Sequence, residues 1–128
     1  MFNTLKNYYK NRPATETFKE KHSFEKRLEE AQRIKKKYPN RIPIICERYL
    51  KSDPEIDRKK YLVPDDLSLT NFLYVIRKRI KLKPQESLYL FVNGKILTSA
   101  SYLLHVYEEN QEKDEFLYIK YTMENTFG

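Results

Sequence analysis

Side chains that could act as nucleophiles or metal ligands are few in this sequence and far apart. Cys46 is the only cysteine, and the two histidines, His22 and His105, lie in other segments. One cysteine cannot form an internal disulfide or supply a zinc site, which indicates a reducing compartment. Because Cys46 lies in an isoleucine-rich segment, we expect a buried and unreactive thiol. A nucleophilic Cys–His pair is the alternative that the sequence leaves open.

Phosphate and carboxylate chemistry has no clear site in the sequence either. The chain has two glycines, Gly94 and Gly128, so it contains no glycine-rich phosphate loop. Its paired acidic residues are typical of helix surfaces and helix caps rather than of active sites. We therefore expect no enzyme activity, no catalytic residue, no cofactor and no metal. The acidic pairs are Glu29-Glu30, Asp65-Asp66 and Glu108-Glu109.

The final residue, Gly128, could supply a different chemistry, that of an acyl donor. It follows a polar segment, residues 122–127, which we expect to form a flexible tail. Glycine has no Cβ, so its carboxylate can enter a narrow active site and be attacked with little steric hindrance. A terminal glycine alone is a weak signal, and its weight depends on the fold that carries it.

Charge is unevenly distributed along a chain whose net charge is +7. Residues 1–51 carry 14 Lys or Arg against 6 Asp or Glu, whereas residues 84–128 carry 3 against 7. A basic front suits acidic partners, although a solvated bipolar surface explains the same pattern. No apolar run is long enough for a transmembrane helix, and the first residues lack the apolar core of a signal peptide. We expect a cytoplasmic monomer of one domain.

Hydrophobic periodicity predicts an alternation of helices and strands. The predicted elements are helices over residues 2–10 and 17–38, strands over 41–48 and 60–63, a helix ending near 80, strands over 88–92 and 95–97, a helix over 101–110, and a strand over 116–121. In the helix over 17–38, the apolar stripe consists of Phe24, Leu28, Ala31, Ile34 and Tyr38.

Local signals refine these elements. Ser23 is a candidate helix cap, and Asp66 or Ser68 can cap the helix that ends near residue 80. Asn93-Gly94 indicates a hairpin turn, because both residues tolerate positive φ. Pro43 lacks an N–H, so we expect its strand to lie at a sheet edge or to leave one backbone side unpaired.

Two strands, a helix and then further strands are the connectivity of the ubiquitin-like β-grasp, an α+β fold. The two additional helical segments would precede it. We accordingly divide the chain into an appendage over residues 1–15, a helical extension over 16–40, a β-grasp core over 41–121 and a tail over 122–128 that carries Gly128.

Several uncommon strings resemble the autophagy ubiquitin-like modifiers, the family of the GABA-receptor-associated protein and the microtubule-associated protein light chain. The resemblance covers residues 18–128 and keeps the order of the motifs. The strings are Phe24-Glu25-Lys26-Arg27, residues 36–45, residues 59–64, Phe72 with residues 76–80, Leu90-Phe91-Val92-Asn93, Phe116-Leu117-Tyr118-Ile119 and Phe127-Gly128.

The resemblance implies conjugation of Gly128 to the amine of phosphatidylethanolamine. The expected partners are an activating enzyme, a conjugating enzyme and a deconjugating cysteine protease. It also implies that the protein recruits cargo receptors and adaptors that carry an aromatic-x-x-aliphatic motif. The lipidated protein would lie on the autophagosome membrane, and lipid attachment would anchor an otherwise soluble chain.

The resemblance also implies the residues that bind such a motif. Lys60 to Val63 would be the pairing edge, and Arg41 and Arg79 would contact acidic residues that flank the motif. The aromatic pocket would use Glu30, Ile34, Pro43, Ile45, Lys60, Leu62 and Phe116. The aliphatic pocket would use Tyr61, Val63, Pro64, Leu67, Phe72 and Val75. A role in the hydrophobic core is the competing interpretation of the apolar residues among them.

Two other functions stay open at this stage. The basic front favours an unconjugated protein that binds microtubules, through tubulin, or acidic membrane surfaces, although RNA would satisfy the same charge. We expect no nucleic acid as the main partner. The third possibility is a modifier attached to a protein instead of a lipid.

Overall fold

The computed structural model of the protein describes residues 16–98 and 101–124. The helix predicted over residues 2–10, and Gly128, lie outside these ranges. The helices are α1 (Phe18–Lys21), α2 (Phe24–Lys37), α3 (Leu69–Arg79) and α4 (Leu103–Asn110). The strands are β1 (Arg41–Arg48), β2 (Lys60–Pro64), β3 (Tyr89–Val92), β4 (Lys95–Ile96) and β5 (Leu117–Thr122). None of these helices is long and apolar enough to cross a bilayer.

Hydroxyl side chains begin three of the helices. The Oγ of Ser23 accepts a hydrogen bond from Lys26 N–H at 3.3 Å, and the Oγ of Ser68 accepts one from Asn71 N–H at 3.1 Å. Each satisfies a donor that the first turn leaves unpaired. Thr17 caps α1 in the same way, and His22 then adopts an extended conformation. The prediction of a single helix over residues 17–38 is therefore wrong, because α1 ends before Ser23 and a second helix begins after it.

Helix α2 buries only part of the stripe predicted for it. Ala31 and Ile34 are buried against the sheet. Phe24 and Tyr38, at the two ends of the helix, are 44% and 40% exposed. The helix therefore packs through its central turns, and its terminal aromatic rings remain accessible to solvent.

The five strands form one mixed sheet in the order β2-β1-β5-β3-β4. Strands β1 and β5 pair in parallel, from Ile44 opposite Leu117 onward, and the other pairs are antiparallel. Strand β1 is thus interior, and its prediction as an edge strand is wrong. The alternative prediction, that the strand leaves one backbone side unpaired at Pro43, explains the proline. Its nitrogen faces β5, one residue before the β1–β5 pairing begins at Ile44.

The hairpin between β3 and β4 turns at Asn93 and Gly94, whose φ values are 52° and 76°. Positive φ at both central residues is the type I′ pattern that matches the twist of paired strands. The turn signal in the sequence is therefore confirmed.

Apolar side chains cover both faces of the sheet. On one face, α3 and α4 pack over a large cluster that includes Phe72, Ile76 and Leu103. On the other face, α1 and α2 enclose a smaller cluster: Phe18, Ala31, Ile34, Ile45, Phe116 and Tyr118. Helices on both faces of the sheet thus remove its apolar surface from water.

A buried carboxylate fastens α2 to the second face. Asp114 accepts a hydrogen bond from Arg27 Nη1 at 2.7 Å and one from the Tyr118 hydroxyl at 2.5 Å. Phe116 N–H donates to the same carboxylate at 3.0 Å. A buried charge persists when it is paired and fully hydrogen-bonded, as this one is.

Candidate functional site

Strand β2 forms one edge of the sheet and pairs, among the described strands, with β1 alone. Cys46 N–H donates to Lys59 C=O at 2.7 Å. This bond shows which residue pairs of the β1–β2 ladder are hydrogen-bonded and which are not, because the two kinds alternate. The backbone groups of Tyr61 therefore point toward β1, and those of Lys60 and Leu62 point outward. An outward row of donors and acceptors is what an added peptide strand pairs with.

The seven residues predicted for the aromatic pocket lie together on the α2 side of this edge. Ile34, Ile45 and Phe116 belong to the smaller core cluster, and Leu62 packs against it while half-buried. Pro43 is buried as well. The apolar members therefore form a packed floor of core residues, and among them Leu62 alone is partly exposed.

Two charged residues lie above this floor. The Lys60 ammonium forms an ion pair with the Glu30 carboxylate and so links β2 to α2. The Lys60 side chain is 41% exposed, so this ion pair lies at the surface. Both residues belong to the set that the resemblance implies for the aromatic pocket, and their role in binding stays a prediction.

Four of the residues predicted for the aliphatic pocket lie in or against the cluster on the opposite, α3 side of the sheet: Tyr61, Val63, Leu67 and Phe72. Pro64 pairs with Arg41, so it faces the α2 side with Leu62. Tyr61, Val63 and Phe72 are buried, and the rings of Tyr61 and Phe72 meet edge to face at 5.7 Å. Leu67 is half-buried, whereas Pro64 and Val75 are exposed. The inner members are core residues, and the outer ones leave apolar surface beside the edge.

The Tyr61 hydroxyl on this side is buried, and among the described residues it has no hydrogen-bond partner. Burial raises the pKa of this phenol. An unpaired buried hydroxyl costs free energy unless a water or a ligand satisfies it.

Both arginines predicted to contact acidic flanks are already engaged within the chain. Arg41 Nη1 donates to Leu62 C=O at 3.0 Å, and its guanidinium lies 6.0 Å from the ring centre of Tyr38. Arg79 Nε donates to an Asp57 oxygen at 2.9 Å. The sequence places these charges near the edge but does not reveal that Arg41 bonds the edge itself.

The thiol and the imidazoles do not form a nucleophilic site. Cys46 is fully buried in β1, as expected, and burial together with the neighbouring Glu47 carboxylate raises the pKa of its thiol. His22 instead contacts the ring of Phe18, with ring centres 4.7 Å apart. Within residues 16–98 and 101–124, no group of three or more His, Cys, Asp or Glu residues could hold a metal ion.

Asp53, which the sequence treats as part of a connection, anchors the end of β5. One carboxylate oxygen accepts hydrogen bonds from the Thr122 hydroxyl at 3.0 Å and from Met123 N–H at 2.9 Å. The other accepts from Leu50 N–H at 2.8 Å. Asp53 is buried, so these bonds fix the point at which the chain leaves the sheet toward Gly128, which itself lies outside the described residues.

Glu47 joins α1 to the sheet in a comparable way. Its carboxylate is buried and accepts from Phe18 N–H at 2.9 Å. Lys59 and Lys120 lie at 3.2 Å and 3.3 Å from its oxygens. Burial would raise the pKa of this carboxyl, but the Phe18 hydrogen bond and the two ammonium groups outweigh it and hold the pKa below its ordinary value.

Comparison with known proteins agrees with this architecture. The model of the family described as autophagy protein Atg8, ubiquitin-like, matches residues 26–128. Autophagy-related protein 8 of Mycosarcoma maydis is 54% identical over 112 residues, which is 87% of this chain and 95% of that protein. Autophagy-related protein 8d of Arabidopsis thaliana is 53% identical over 116 residues, with 90% and 97% of the two chains covered.

A solved structure gives the same result for the fold. The crystal structure of ATG8 from Trypanosoma brucei superposes with a TM-score of 0.78 at 38% sequence identity. The superposition covers 82% of this chain and 91% of that chain. The sheet order, the two flanking helical layers and the family match together lead to one conclusion. The chain belongs to the Atg8 family of ubiquitin-like proteins of autophagy.

Proposed function

We propose that the protein is a modifier rather than an enzyme, conjugated through Gly128 to phosphatidylethanolamine on autophagosome membranes. An activating enzyme would adenylate the glycine carboxylate with ATP, releasing pyrophosphate, and its cysteine thiol would then displace AMP to form a thioester. A conjugating enzyme would then transfer the acyl group to the lipid amine, with loss of the thiol. A cysteine protease would hydrolyse the resulting amide. The unlipidated chain would be cytoplasmic.

The family match supports this proposal, since it extends over the tail to residue 128. Replacing Gly128 by alanine tests it in a reconstituted conjugation reaction with vesicles that contain phosphatidylethanolamine. We expect Gly128→Ala to lose the lipidated product, whereas Lys95→Ala, an exposed change in β4, should retain it. Unchanged lipidation of the Gly128 variant would refute the proposal.

We further propose that the β2 edge binds aromatic-x-x-aliphatic motifs of cargo receptors and adaptors. The observation that carries this proposal is an outward-facing strand backbone with apolar side chains on both sides of it. Strand addition would supply hydrogen bonds, and the two sides would select the side chains of the motif.

Titration of a motif peptide tests the docking role. Leu62→Ala and Lys60→Ala should each weaken binding by about tenfold, the usual consequence of truncating a contact at the centre of an interface. Lys95→Ala, in the strand at the opposite end of the sheet, should bind like the parent. Equal affinity of the parent and both edge variants would contradict the assignment.

A second candidate function rests on α2, whose last turn carries Lys36 and Lys37 next to the exposed ring of Tyr38, while Lys35 is ion-paired with Glu115. Such a surface favours acidic partners such as tubulin or anionic membranes without conjugation. Binding that collapses with added salt and does not require Gly128 would support this role. Binding that withstands salt would exclude it.

A further inference from the structure

The hydrogen bond from Arg41 to Leu62 lies on the edge that a docking strand would need. Leu62 stands opposite Pro43 in the β1–β2 ladder, and its C=O points away from β1. Arg41 lies two residues before Pro43, so its side chain emerges on the same face of the sheet. From there its Nη1 reaches the Leu62 carbonyl oxygen at 3.0 Å.

The cap is held by a second contact. The Arg41 guanidinium also lies against Tyr38, and the Lys37 ammonium is 5.4 Å from the ring centre of that tyrosine. These two contacts hold the guanidinium beside the ring and on the Leu62 carbonyl. The free protein thus protects an acceptor at its exposed edge, a common way to limit unwanted strand pairing.

We propose that Arg41 caps the β2 edge in the free protein and is displaced when a peptide strand docks, which makes docking selective for acidic motifs. This inference rests on the docking role proposed above. An incoming strand places its own N–H on the Leu62 oxygen, which already accepts from Arg41, so the two donors compete for this acceptor. A motif with flanking carboxylates gives the released guanidinium a new partner, whereas a neutral motif does not.

The proposal predicts effects of opposite sign on the two kinds of motif. When Arg41 is removed, a neutral peptide no longer competes with the Arg41–Leu62 hydrogen bond. It should therefore bind roughly two- to tenfold more tightly. An acidic peptide gains the same relief but loses its ion pair, so its affinity stays level or falls. A purely attractive Arg41 would weaken the acidic peptide and leave the neutral one unchanged.

Calorimetric titration of two peptides tests this prediction. Both carry the same aromatic-x-x-aliphatic motif, with three Asp on each side in one and three Ser in the other. We expect Arg41→Ala to bind the Ser peptide two- to tenfold more tightly than the parent does. The matched control is Arg79→Ala, whose arginine bonds Asp57 and not the edge. It should weaken the Asp peptide and leave the Ser peptide unchanged.

A second measurement needs no peptide. Loss of a hydrogen bond to a carbonyl shifts its ¹³C resonance upfield, so the Leu62 carbonyl signal should move in free Arg41→Ala and stay in Arg79→Ala. The proposed cap is wrong if the Leu62 signal does not move in Arg41→Ala. It is also wrong if the Ser peptide binds Arg41→Ala no more tightly than it binds the parent. If the parent binds neither peptide, the docking role fails and the selectivity falls with it, whatever the carbonyl signal reports.

Discussion

Replacing Asp53 by alanine should destabilise the fold far more than its place in a connecting segment suggests. The carboxylate is buried and accepts from Leu50 N–H, Met123 N–H and the Thr122 hydroxyl. Alanine leaves all three donors without this acceptor, the Thr122 hydroxyl in the buried interior and the two amides in partly buried positions. Thr122 and Met123, at the end of β5, would then lose their bonds to the segment that follows β1.

The size of the effect follows from these three bonds. Hydrogen bonds to a charged group contribute about 1.5 kcal/mol each at the lower end, or about 4.5 kcal/mol together. The variant no longer desolvates a carboxylate, which offsets part of this loss, so we expect about 3 kcal/mol. Asp53→Asn keeps one oxygen for Thr122 and Met123 but turns its amide toward Leu50 N–H, and should cost about half as much.

Urea unfolding of the variants measures these free energies. Ser52→Ala is the matched control, because Ser52 is the exposed neighbour in the same segment and should change stability by less than about 0.5 kcal/mol. Hydrogen exchange at Met123 N–H should accelerate in Asp53→Ala if the anchor is local. An Asp53→Ala protein as stable as Ser52→Ala would refute the reasoning.

Two further predictions concern β1. Glu47→Gln should lower the free energy of unfolding by about 1–2 kcal/mol at pH 7. Because the folded-state pKa of Glu47 lies below its ordinary value of 4.5, this contribution is complete above pH 4.5 and is lost as the pH falls through the folded-state pKa. The two proteins should therefore converge in acid denaturation curves, and a constant gap would contradict the ion pairs. Cys46 should react with a thiol reagent on the order of 1,000-fold more slowly in the native protein than in denaturant, since exposure requires opening of the core. Rapid labelling of the native protein would contradict its burial.

Local signals in the sequence were sufficient for much of the fold. Ser68 and Asn93-Gly94 act through their own neighbours, by capping a first turn and by adopting positive φ. The order of the elements then indicated the β-grasp without any knowledge of contacts. The break before Ser23 was missed because α1 has only four residues, too few for a periodic pattern to separate from α2.

The remaining features depend on residues that are distant in sequence. Nothing near Asp53 indicates that Thr122 is its partner, and nothing near Arg41 indicates that its guanidinium reaches Leu62. Pro43 favours an edge strand in the sequence, because neighbouring residues do not show where the parallel partner β5 begins to pair with β1. The sequence likewise does not show that Ile45 and Phe116 pack beneath Leu62, because this cluster forms only where α2 covers the sheet.

The parallel pairing of β1 with β5 has a consequence for how the protein is made. The first and last strands of the sheet are neighbours, so β1 gains its second partner only when the segment around Leu117–Thr122 is available. Closing such a distant pair is slow, and until then an isoleucine-rich strand remains unpaired on one side. During translation, the sheet cannot be completed before residues 117–122 have left the ribosome. A product that stops before Leu117 would leave one side of β1 unpaired and open to pairing with other chains.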